Sequence, residues 1–236
     1  MKNKQSETLY CFSPPVMIVT FLIEIGLAAY SAWRFRLTKL NRLAILTLVL
    51  LATFQLAEFN ICQGTFPGPD WARLGFVVIT LLPPLGLHMV TAITGRKRTN
   101  ILLLSYVLAG LFVTFFAFFP NSVFHELCGG NYIIFRLDLL AGRLYGLYYY
   151  GLLILSIGLA AYEYRLPKTK ALTKQTLRWH ILGMLVFMVP TAIVNTIDPS
   201  TIAGIPSILC GFAVLYALIL ALVIIPANSR KSPRLS

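Results

Sequence analysis

Charge is what this chain has least of. Eight Asp and Glu and three histidines serve 236 positions, and charged residues of both signs make up only 12%. Soluble domains carry about 25%. Such a chain has too little polar side chain to cover a water-facing surface. The absences extend to chemistry. Four cysteines contain no CxxC spacing, and three histidines are too few for a multi-histidine zinc hydrolase. GxSxG, HExxH and a phosphate-cradling glycine loop are missing. The last apolar run has no lysine with which to hold retinal as a Schiff base. No catalytic residues or metal ligands are expected, and an enzyme is not the expectation. Alternation over segments of about ten residues, the mark of a transmembrane barrel, is missing too, as are internal repeats, low-complexity tracts and a linker to a second domain.

What the chain has is apolar length. Hydrophobic residues make up 58%, and mean hydropathy is +0.78. They gather into seven runs, at about 14–33, 43–61, 74–94, 101–119, 144–162, 177–197 and 205–225. About 20 residues at 1.5 Å each cross a hydrocarbon layer about 30 Å thick. Lipid offers no hydrogen bonds, so each crossing must pair its own backbone as a helix. The expected fold is a single all-α domain, residues 1–236, forming a seven-transmembrane helix bundle. The connections are short, so neighbouring helices should run antiparallel.

Basic residues orient the bundle. Of 20 Lys and Arg, 15 fall after the first, third and fifth runs or in the tail; Lys2, Lys4, Arg73, Arg136 and Arg143 fall on the other side. The positive-inside rule then puts the N-terminus outside and the C-terminus in the cytoplasm. This distribution also explains the formal charge of +12 without nucleic acid, which is not an expected partner. Anionic lipid head groups at the cytoplasmic face are. The first run is followed by basic residues rather than a small-residue cleavage site, so it reads as a retained span.

Cys11, Cys62 and Cys128 share the external side in this topology, while Cys210 sits in the seventh run. Cys62–Cys128 and Cys11–Cys62 are both candidate disulfides, alongside free thiols. The one long connection, 120–143, holds SVFHELC, Gly129-Gly130 and NYIIFRL, two β-prone stretches around a turn signal. A small external β-hairpin between the fourth and fifth spans is expected, with an irregular loop as the alternative.

Polar residues inside a bilayer are costly and so informative. Glu24 lies mid-span in the first run and should face the bundle interior. Glu58 and Asn60 lie toward the outer end of the second; Asn195 and Asp198 close the outer end of the sixth. With Trp71 and the Tyr148-Tyr149-Tyr150 run they form an outer layer, either lining a ligand pocket that opens outward or serving as an aromatic belt. His88 and His180 occupy the inner halves of the third and sixth runs. Haem ligation between them is the one cofactor option; satisfied interior histidines are the alternative, and no cofactor is expected.

The pattern RWHILGMLVFMVPTAIVNT followed by IPSILCGFAVLYALIL resembles the N-terminal seven-helix sensor region of bacterial histidine kinases, with Gly183, Pro190, Asn195 and Gly211 at matching positions. ITLLPPLGLHMVTAITGRKR is similar to that family's Pro-containing third span, and ATFQLAEFN to its second. The resemblance spans nearly the whole chain and implies a sensor in a bacterial cytoplasmic membrane. After Pro226 only ANSRKSPRLS follows, with no kinase domain, so a stand-alone receptor-like module would signal through a separate protein partner. A structural subunit or assembly factor of a larger membrane complex is the alternative, with Gly142-xxx-Gly146 and Gly26-Leu27-Ala28-Ala29 allowing close helix packing. A small transporter ranks third, because broken helices and a repeated half are not evident.

Overall fold

A computed structural model describes residues 14–64, 70–119, 122–128 and 133–229. Seven helical stretches are long and apolar enough to cross a membrane. In chain order these are α1 (Pro14–Arg34), α2 (Lys39–Gln63), α3 (Trp71–Thr80) with α4 (Leu82–Thr94), α5 (Thr99–Phe118), α6 (Leu139–Arg165), α7 (Ala171–Ile197), and α8 (Ile205–Ile219). A 3₁₀ turn, Pro199–Gly204, enters α8; a π-helical stretch, Leu220–Ile224, and a final turn α9 (Ile225–Ser229) continue it. Between α5 and α6 run two short antiparallel strands, β1 (Phe124–Cys128) and β2 (Ile133–Arg136). The Gly129-Gly130 turn lies outside the described residues, as do Cys11 and the tail from Arg230.

Five spans begin earlier than their apolar runs, three of them by four residues or more. The second, fifth and sixth spans were expected from about 43, 144 and 177, and they start at Lys39, Leu139 and Ala171. The physical reason is that hydropathy marks the lipid-facing length, whereas hydrogen bonding carries a helix on into the polar interface. Caps set the true ends. Thr38 accepts from the Asn41 N–H, and Asp138 accepts from the Leu140 N–H. Gly64 and Gly95 close α2 and α4 at φ of 61° and 71°, a conformation that costs glycine little.

The third crossing is interrupted at Leu81, so one helix of this chain is broken. Pro83 and Pro84 have no N–H to return to the preceding turn. The Thr80 carbonyl, which the residue at 84 would ordinarily pair, instead accepts the Tyr148 hydroxyl at 2.6 Å. The Thr80 hydroxyl donates to the Phe76 carbonyl at 2.6 Å and lies 3.1 Å from the Tyr145 hydroxyl. The break is thus stitched to α6 by two tyrosines.

Burial grades the helices. α2, α3–α4 and α8 form the centre; α5 is outermost, burying only Ser105, Ala109 and Phe116. Arg73 holds its far end by donating to the carbonyls of Phe116 and Ala117. Close approach occurs at other glycines than those singled out in the sequence. A Cβ at Gly183 would overlap the Tyr216 ring and one at Gly86 the Met184 side chain. Gly26 and Gly146 face open space, and Gly142 meets only Leu137. None of the three brings two helices of this bundle into close contact.

At the end where most basic loops gather, Glu163 of α6 is buried beneath two arginines. Arg98 donates to it at 2.9 Å, and Arg96 makes a charge contact at 3.0 Å off the hydrogen-bond axis. Nearby Asn228 donates to Thr38 at 2.7 Å and to Asn41 at 3.2 Å, and Asn41 donates to Ser229 at 2.9 Å. The α1–α2 turn is thereby clasped to α9.

Candidate functional site

The hairpin end is where the helices leave room. Inward-facing residues alternate along β2, so Ile133 and Phe135 are buried. The Ile133 N–H points at the Ser207 hydroxyl, 3.4 Å away, and the Phe135 ring meets those of Phe54 and Phe76. This strand closes the space between α2, α3 and α8. Beside it opens a partly enclosed cavity of about 360 Å³. Its interior is Phe76, Phe135, Tyr145, Tyr149, Leu209 and Cys210; Asp138 and Arg143 stand in its lining from the first turn of α6, with Ile202 and Pro206 opposite. Among the described residues α7 contributes nothing to this wall. The size falls within the range of small-molecule pockets, about 300–1,000 Å³.

Two carboxyl groups lie behind the cavity floor. Glu58 is 1% exposed; the Ser207 hydroxyl hydrogen-bonds to it, and its Oε1 has no partner. Glu24 is fully buried with neither oxygen hydrogen-bonded, and the two acids are close enough to interact electrostatically. The Gln55 amide nitrogen, one turn before Glu58, is also buried and unpartnered. Buried polar atoms of this kind are rare, since each costs about 1–3 kcal/mol unless matched. No lysine or arginine forms an ion pair with either acid among the described residues.

Deeper in the bundle, a void of about 20 Å³ shares Tyr149 and Leu209 with the cavity and reaches Gly86, Met184, Phe187 and Tyr216. That is about one water's worth of space. Beyond it His180, fully buried, has its Nδ1 3.1 Å from the Tyr216 hydroxyl and its Nε2 3.4 Å from that of Ser156. His88, half-buried, has its Nδ1 2.9 Å from the Tyr106 hydroxyl. Each histidine sits in its own hydrogen-bonded setting. No group of three metal-ligating side chains comes together among the described residues.

The outer layer read from the sequence divides in the structure. Tyr149 and Tyr150 line the cavity, whereas Tyr148 turns toward α5 and borders an apolar groove with Leu108, Phe115 and Leu155. Glu58 lies behind the floor rather than in the lining. Asn60 is buried and donates to the Leu56 carbonyl of its own helix. Asn195 accepts from Thr201 at 2.6 Å, tying α7 to the 3₁₀ turn, and Asp198 is exposed at that turn. Trp71 opens α3, half-buried. None of Asn60, Trp71, Asn195 or Asp198 lines the cavity. Sequence reasoning missed Arg143, Tyr145 and Phe76. The last two were hidden in apolar runs, and Arg143 was counted only as an external charge. Cys62 is disulfide-bonded and Cys210 is a buried free thiol; the choice between Cys11 and Cys128 as partner rests on side chains outside those described.

No protein-family model matches this sequence, and a search of curated proteins finds no match.

Proposed function

We propose that this chain is a seven-helix membrane sensor, receptor-like in design, that binds a small molecule at its hairpin end and passes the change to a separate protein partner at its basic end. The observation that carries this reading is the aromatic-walled cavity between β2, α3, α6 and α8, with a shared wall at Tyr149 and Leu209 to the packed interior. The positive-inside distribution supports an outside cavity and cytoplasmic basic loops, and the resemblance to kinase sensor regions is what supports a bacterial cytoplasmic membrane as its location. The two clasps at the basic end, around Glu163 and Asn41, are the elements from which a partner would read helix movement.

Two measurements test this. Measured against the labelling of the parent chain, a membrane-impermeant maleimide should add a label to a Pro199→Cys chain in intact cells and to a Lys97→Cys chain only after permeabilisation; the reverse pattern overturns the orientation. Native mass spectrometry of the gently extracted protein should find a small-molecule adduct that a Gly146→Leu chain lacks, since a side chain added there enters open space in the cavity lining. Equal adducts in both chains overturn the cavity as the site.

A second reading, a subunit of a larger membrane complex, draws on the open face of Gly26 and on the sparsely packed α5. It requires a stable stoichiometric complex after mild extraction, which the sensor reading does not.

A further inference from the structure

The cavity's wall and its mouth differ in chemistry, and the difference selects a ligand class. The interior is aromatic and aliphatic, offering Phe76, Tyr145, Tyr149 and Leu209. Among the described residues, charge enters the lining only at Asp138 and Arg143. The Asp138 carboxylate accepts the Leu140 N–H as the cap of α6, so its charge is engaged at the helix start. Arg143 is exposed and makes no ion pair or hydrogen bond among the described residues. A guanidinium offers a fork of donors matched to carboxylate or phosphate. The cavity is only partly enclosed, with Gly146 and Ile202 also in its lining.

From this we infer that the cavity takes a single-chain anionic amphiphile, with its apolar body against Tyr145, Tyr149 and Leu209 and its carboxylate or phosphate on Arg143. The inference rests on the cavity being the ligand site proposed above. It goes further by fixing the head-group charge and by placing recognition at one residue. About 360 Å³ is near the lower end of the small-molecule range, which favours one chain over a two-chain phospholipid.

The test uses the full chain in a neutral detergent, with dodecanoate, dodecyl phosphate, dodecanol, dodecyltrimethylammonium and a two-chain phosphatidylglycerol as probes, read by saturable shifts in unfolding temperature and by native mass spectrometry. Dodecanoate and dodecyl phosphate should bind at least tenfold tighter than dodecanol or the cation. Arg143→Gln should erase that preference while dodecanol binding persists, and Arg143→Lys should restore part of it. Gly146→Leu should abolish binding of every probe. Equal binding of dodecanoate and dodecanol, or an Arg143→Gln chain that keeps the preference, overturns the anionic head group but leaves the cavity as a site. Binding unaffected by Gly146→Leu, or no binding of any probe, overturns the cavity itself. Tighter binding of phosphatidylglycerol than of dodecanoate overturns the single-chain assignment.

Discussion

The Tyr216 hydroxyl meets Nδ1 of His180 at 3.1 Å because Gly183, one turn along α7, has no side chain to hold the Tyr216 ring away. A Cβ there would overlap the ring. Three positions on two helices therefore act together: a glycine that admits an aromatic ring, a ring that reaches a buried histidine, and a histidine whose other nitrogen faces Ser156.

Gly183→Ala should destabilise the protein. Alanine is the better helix former by about 1 kcal/mol, but overpacking against a rigid ring costs about 1–3 kcal/mol and also displaces the hydroxyl from His180. The clash should win, lowering the unfolding temperature. Gly146→Ala, whose Cβ meets open space, should leave it unchanged or slightly raised. Adding Tyr216→Leu should remove most of the Gly183→Ala penalty, since the two substitutions act on one contact. A double variant no better than the sum of the singles would show that the ring is not what Gly183 accommodates.

The arginine pair over Glu163 should behave non-additively. Either arginine alone neutralises the buried carboxylate, and both are partly solvent-exposed, so each single change to Ala should cost about 1 kcal/mol or less. Removing both leaves an anion in the interior with no cation, a loss of about 3 kcal/mol or more. Glu163→Gln in the double background should recover most of it. Thermal unfolding of the four chains decides this, and additive singles would count against the shared role.

The helices were legible in the sequence and the cavity was not, for one physical reason. Crossing a bilayer needs a long unbroken apolar run, which is a local property of the chain, so seven runs read directly as seven helices. Where helices part to leave space is a property of tertiary packing. Nothing local distinguishes Tyr149, which lines the cavity, from Tyr148, which instead pairs with the carbonyl freed by Pro84. The third span shows no loss of hydropathy where it breaks at Leu81, two residues before Pro83, so a broken helix is not evident from its apolar pattern. Glu24 and Glu58 stood out as acids in apolar runs, and both are buried. Ser207 and Gln55, which accompany them, carried no such signal because single small polar residues are common in spans.

Glu24 offers a test of whether buried acid serves structure or function. Both its oxygens lack a partner, so nothing in the packing depends on its charge. Glu24→Met keeps the length of the side chain and removes the unmatched groups. It should raise stability by about 1–3 kcal/mol, as replacing unmatched buried polar groups does. A fall in unfolding temperature by a similar amount would show that the carboxyl has a partner in solution, an ordered water or ion. Glu58→Gln should be closer to neutral, because Gln can still meet the Ser207 hydroxyl.

Cys62 and Cys210 are cysteines of two kinds that chemistry can tell apart. Cys62 is disulfide-bonded at the end of α2, beside the hairpin, while the Cys210 thiol is 1% exposed within α8. A maleimide should therefore leave both unlabelled in the native oxidised protein. Reductant should expose Cys62, and only denaturation should expose Cys210. Opening a disulfide typically removes about 2–4 kcal/mol, so reduction and Cys62→Ser should lower the unfolding temperature by similar amounts, and reductant should do nothing further to the Cys62→Ser chain. If reduction instead lowers both chains equally, the stabilising bridge does not involve Cys62. If Cys62 is already labelled in protein taken directly from cells without reductant, the hairpin end does not face an oxidising compartment, and the orientation inferred from the basic loops would have to be reversed.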